Sequence, residues 1–110
     1  MTTYNPHKWV ILEISSPELT VRKVFAGWRG GFADGDSWKL SSGIIDADTD
    51  SKLNCIVFKN ESGSHYICHR ETEGMTMYMS EIYQTWLDSV PANYSIKVVD
   101  SIEFLKTVYF

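Results

Sequence analysis

Two stretches of this chain place reactive side chains close together. His65-Tyr66-Ile67-Cys68-His69, with Cys55 upstream, supplies the imidazole and thiol groups that bind zinc. Read as a strand, it sets His65 and His69 on one face about 13 Å apart, at roughly 3.3 Å per residue, too far for one ion. Cys68 then points the other way. A hairpin register that sets Cys55 opposite Cys68 would make the thiols neighbours, yet two ligands fall short of a structural zinc site. No metal or cofactor is therefore expected, and the histidines and cysteines read as structural groups. Ser62, Ser64, Glu61, Glu71 and Glu73 lie nearby, so nucleophile, base and carboxylate types are all present. Neither a G-x-S-x-G elbow nor a protease-type cysteine signature accompanies them, and no catalytic residue is assigned. The alternative reading is a small enzyme using a His65/His69 acid–base hairpin near neutral pH.

Asp46-Ala47-Asp48-Thr49-Asp50 spaces its carboxylates like the opening of an EF-hand loop. Ser51 replaces the required glycine at the sixth position, and Val57 replaces the bidentate glutamate at the twelfth. Residues 46–51 thus read as a solvated polar turn. Residues 27–36 hold four of the seven glycines around Trp28, Arg29 and Phe32. They match no phosphate-binding loop. A pliable backbone carrying Trp, Arg and Phe is instead the residue mix of binding hot spots, with Asp34 and Asp36 adding charge. The bland counterpart is that Trp28 and Phe32 cap the end of the core. The candidate binding surface comprises Trp28, Arg29, Phe32, Asp34 and Asp36, together with Asp46, Asp48 and Asp50.

The elements that must carry these groups follow from hydrophobic period. Residues 9–14 alternate, with Val10, Leu12 and Ile14 on one face and Trp9 and Ile11 on the other. A Ser16-Pro17-Glu18-Leu19 turn leads into a second strand over 20–28, which predicts a hairpin. Strands follow at 37–45, 53–59 and 64–70, the last two joined by Asn60-Glu61-Ser62-Gly63. From Thr72 the period becomes helical: Met75, Met79, Ile82 and Trp86 recur at three- and four-residue spacing. This predicts a helix over 73–90, capped by Thr72 and stopped by Pro91, with Met77 off its apolar stripe. Residues 94–99 read as a last strand. Residues 101–109 read as a short helix with Ile102, Leu105 and Tyr109 inward, or as more strand. The expected fold is α+β: an antiparallel sheet of five to six strands, with one main amphipathic helix on one face and a possible short C-terminal helix.

At 110 residues the chain is one domain, 1–110, long enough to bury a core without staples. A hydrophobic fraction of 44% and a charged fraction of 22% exclude intrinsic disorder. No apolar run approaches the roughly 18 residues of a membrane span, and the first residues lack a signal-peptide pattern. A cytoplasmic protein with reduced cysteines is expected. The net charge is −4 and lies unevenly. Residues 1–33 carry four basic and two acidic side chains, and residues 34–110 carry six and twelve. Such a surface disfavours direct nucleic-acid contact and suits a basic protein partner. The expected function is a small acidic protein-binding module. An inhibitor or immunity-type protein of bacterial or phage kind, occluding a toxin, nuclease or defence effector, fits that description.

Overall fold

The computed structural model describes residues 2–30 and 35–108. Among these residues, eight strands and two α-helices run in the order β1 (Thr3–Tyr4), β2 (Lys8–Ser15), β3 (Thr20–Trp28), β4 (Ser37–Leu40), β5 (Ile44–Asp50), β6 (Cys55–Asn60), β7 (His65–His69), α1 (Met77–Ser89), β8 (Ser95–Val99) and α2 (Ser101–Val108). The α+β class is as expected. The strands, however, divide into two four-stranded sheets in place of one sheet of five to six. Sheet A has the order β1-β7-β6-β5 and sheet B the order β4-β3-β2-β8.

Strand β2 explains the division. Its two faces are both apolar, so it must be covered on both sides. Trp9 and Ile11 join Val24 and Ala26 of β3, facing Ile56, Phe58, Tyr66 and Cys68 of sheet A across one core. Val10 and Leu12 join Phe25 and pack against Met79, Ile82 and Trp86 of α1 in a second core. The molecule is thus three layers deep: sheet A, sheet B, then α1. A single sheet under one helix would leave Trp9 and Ile11 in water, where each large apolar side chain forfeits about 1.5–3 kcal/mol of burial.

The β2–β3 hairpin forms about the expected turn, with Ser16 N donating to Leu19 O (2.8 Å) and Leu19 N to Ser16 Oγ (3.2 Å). Trp9 Nε1 donates to His69 O at 2.8 Å, tying the two sheets together. Gly27 lies where Met79 of α1 meets β3, and a Cβ there would overlap the Met79 thioether. Strand β3 begins beside β5, since Thr20–Arg22 and Ile44–Asp46 line one cavity, and it ends beside β1, where Trp28 meets Tyr4. It therefore runs across sheet A and does not follow its strands.

Three local expectations are corrected. The helix is capped by Thr76 and not Thr72; residues 70–72 form a separate 3₁₀ turn. Thr76 Oγ1 accepts from Met79 N (3.1 Å) and Thr76 N donates to Met79 Sδ (3.4 Å), so a buried methionine fills the role glutamate has in a capping box. Residues 46–50 form strand β5 and not a turn, because Ala47 needs an inward place that only an extended backbone gives it. The turn comes later, where Asp50 Oδ1 accepts from Lys52 N and Leu53 N. Finally, residues 101–108 settle as helix with Phe104 buried, while Ile102 points outward. Glu73 and Asp100 bind the first N–H groups of α2, which sets its rotation. Tyr109 lies outside the described residues.

Candidate functional site

Of the eight predicted binding residues, the six that are described fall into two groups that the fold keeps apart. Trp28 ends β3 partly buried; its Nε1 donates to Asn5 O (3.0 Å) and its ring lies 6.2 Å from that of Tyr4. That anchors the N-terminal segment against the sandwich. Arg29 N donates to His7 Nδ1 (2.9 Å), and Asp36 Oδ1 accepts from Gly30 N (3.2 Å). Phe32 and Asp34 lie outside the described residues. The Trp28 group therefore neighbours β1, one edge of sheet A. Asp46, Asp48 and Asp50 occupy β5, the opposite edge, three strand spacings or about 14 Å away.

On β5 the three aspartates alternate with buried Ala47 and exposed Thr49, so they share the outward face at roughly 6.6 Å intervals. An extended strand cannot wrap them round one calcium ion. Asp48 is paired with Lys59 Nζ of β6 at 2.8 Å, and Asp46 Oδ1 accepts from Ala47 N at 2.9 Å. Strand β5 hydrogen-bonds β6 on one side and, among the described residues, has no strand on the other. A register irregularity between Ile44 and Asp46 turns Ile45 outward, where it is 67% exposed. Leu19, 64% exposed, lies across a cavity of about 290 Å³ whose rim also carries Asp46, Glu61 and Arg22. Leu19 and Ile45 were not singled out by sequence, and Glu61 only as a carboxylate near the histidine hairpin, since only the β3–β5 crossing makes the three neighbours.

The histidine hairpin has the expected strand geometry but a different register. Cys55 pairs with His69 and Ile56 with Cys68, so the cysteines are one register step apart, on opposite faces of the sheet, and not opposed. Both thiols are free and buried. Burial pushes both above their ordinary value, with Asp50 adding at Cys55 and Cys55 and Glu73 adding at Cys68, which keeps them protonated and unreactive. His65 stands opposite Lys59 and His69 opposite Cys55, so neither has a carboxylate as its β6 partner. Among the described residues, no group of three or more His, Cys, Asp or Glu side chains is placed to hold a metal.

A second opening lies between the sheets, about 420 Å³ in volume, bounded by β1, the end of β4 and the β6–β7 turn. Hydroxyls and one ammonium dominate its walls. The sequence hints at it only through two short serine–glycine turns, Ser41-Ser42-Gly43 and Ser62-Gly63-Ser64, which packing brings together.

No family model, no curated protein and no solved structure matches this chain. Among the described residues, no helix is long and apolar enough to cross a membrane.

Proposed function

We propose that this chain is a cytoplasmic binding protein that captures a basic protein partner along the β5 edge. The observation that carries the reading is the coincidence, on one edge strand, of three outward carboxylates and exposed Ile45, with Leu19 of the β2–β3 turn across the adjoining cavity. An open edge offers backbone N–H and C=O groups to an incoming extended segment. Carboxylates at every second residue would meet lysines or arginines at the same spacing in the partner. Leu19 and Ile45 supply the apolar contact that outlasts the electrostatic encounter. Alternate charges and an irregular register also protect an edge from pairing with copies of itself, so the same features favour a partner of opposite charge over self-association. An inhibitor or immunity-type role against a basic effector such as a nuclease toxin is the biological form this surface fits best. The acidic face disfavours direct contact with nucleic acid.

The test is co-purification from the native cell, with mass measurement of the bound partner, followed by association kinetics against the triple variant Asp46→Asn, Asp48→Asn, Asp50→Asn. The expected result is a fall in association rate of about tenfold or more at low salt, with a flatter salt dependence. An association rate and salt slope that match the parent chain would defeat the proposal.

A further inference from the structure

We propose that the inter-sheet cleft bounded by β1, β4 and the β6–β7 turn is a second binding site, one that takes a small oxyanion of the phosphate or sulfate type. This site is independent of the β5 edge.

The first support is hydrogen-bond polarity. Ser42 Oγ donates to Ser62 Oγ (3.0 Å), and Ser62 Oγ shares a proton with Ser64 Oγ (3.0 Å). The outer members of this trio already receive N–H donors: Ser62 N donates to Ser42 Oγ (3.0 Å) and Asn60 Nδ2 to Ser64 Oγ (3.2 Å). Three hydroxyl protons share two links within the trio. Whichever way the Ser62–Ser64 link runs, one proton is left to seek an acceptor from outside.

The trio is rigidly backed. Asn60 is 2% exposed, and its Nδ2 also donates to Ser64 O at 3.0 Å. That carbonyl also accepts from Asn60 N (3.0 Å), and turning the amide over would set Oδ1 against it, acceptor to acceptor, so Nδ2 faces Ser64 and holds it from two sides. Ser41, buried beneath the same turn, accepts from Val24 N (2.8 Å) and donates to Ser42 O (2.6 Å). The serines are therefore placed before any ligand arrives, which lowers the ordering cost of binding.

Charge is the second support. Lys39 Nζ sits 5.2 Å from the centroid of the Tyr4 ring, and that ring stacks on Tyr66 at 4.8 Å. Among the described residues, Lys39 has no carboxylate within ion-pair distance, and no acidic side chain lines the cleft. Glu61, which adjoins Ser62 in sequence, lies instead over Gly43 and lines the other cavity. Burial, with the Tyr4 and Cys68 groups adding, pushes the Tyr66 phenol up to about 12, so it stays neutral and can donate. In a chain of net charge −4, this opening thus presents an ammonium and hydroxyl donors with no opposing carboxylate. Its volume suits a small molecule, for which sites run from about 300 to 1,000 Å³. An oxyanion is the ligand class that accepts from several donors at once and is drawn by the cation.

The experiment is a titration of the full chain with inorganic phosphate, followed by amide NMR shifts and repeated with glucose 6-phosphate and with glucose. The site predicts saturable shifts at Ser42, Ser62, Ser64 and Tyr66 with both phosphorylated probes and none with glucose. A tighter response to glucose 6-phosphate would assign the oxyanion to a small organic ester, and a tighter response to inorganic phosphate to the free ion. Lys39→Gln and Ser62→Ala should each weaken binding at least tenfold, while Lys39→Arg retains it. Neither variant touches the buried core, and an unchanged amide spectrum away from the cleft verifies the fold. The triple β5 variant should bind phosphate as the parent does, which separates this site from the edge. Shifts that never saturate, or that persist undiminished in Lys39→Gln, would overturn the assignment.

Discussion

Sheet B and sheet A have four strands each, yet they lie in different surroundings. Sheet B is covered on both faces, by sheet A beneath and by α1 above. Among the described residues, sheet A is packed by another layer on one face; its other face carries exposed Asp46, Asp48 and His69, with Val57, Lys59, His65 and Ile67 half-buried among them. The chemistry follows this asymmetry. The residues of β2 and β3 are committed to packing, whereas both candidate sites lie at the margins of sheet A, one on its β5 edge and one beneath its β1–β7 side. A strand with one face free can carry charge without the cost of burying it, and a strand covered twice cannot.

The comparison is most sharply tested at its centre. Trp9→Ala would empty the middle layer and break the bond to His69 O, and it should cost about 3–5 kcal/mol in urea unfolding. Val57→Ala on the outward face of sheet A should cost less than about 1 kcal/mol. Equal losses at both positions would refute the distinction between the layers. Next in size is Gly27→Ala, which forces a methyl group into the Met79 thioether and should cost about 1–3 kcal/mol. Pairing it with Met79→Ala should recover part of that loss in a double-mutant cycle, because the two groups compete for one space.

The smallest effect concerns the one carboxylate that sheet B accepts on its inner face. Glu13, 13% exposed, bonds Arg22 (3.0 Å) and Lys97 (3.1 Å), its cross-strand partners on β3 and β8. Burial raises its carboxyl, but the hydrogen bonds and charges of Lys97 and Arg22 outweigh burial and hold it below the ordinary value of 4.5. A carboxyl depressed in the folded state stabilises fully above its unfolded value, and that stabilisation fades as pH falls through the folded one. Glu13→Gln should therefore cost about 1 kcal/mol at pH 7, and the difference from the parent should close as pH drops below 4.5. Thermal melts at pH 7 and pH 3 check the sign, since a gap that widened in acid would reverse it.

Much of the local structure was legible along the chain. The 9–14 and 20–28 alternations, the Ser16–Leu19 turn and the apolar stripe around Met79, Ile82 and Trp86 are all short-range patterns, and each appears as an element. The two-faced apolar character of β2 was visible too, but a period of two says only that both faces are apolar, not what covers them. The Asp46–Asp50 strand was hidden because alternating carboxylates resemble a turn unless the inward partner of Ala47 is known. The candidate sites were less legible still. Trp28 read equally as a presented aromatic and as a cap on the core, and only the structure shows its contacts with Asn5 O and the Tyr4 ring, while Lys39 and the serines of the cleft carried no motif.

By itself, the amino-acid sequence determined which segments extend, which coil and which must shed water, because backbone propensity and side-chain period act between residues only a few positions apart. The tertiary structure decided the partition into two sheets, the parallel pairing of β1 with β7, and the meeting of Ser42 with Ser62 across twenty residues. Strands alike in period can pair in many orders. Only the simultaneous burial of both faces of β2, with every backbone donor matched, selects among them.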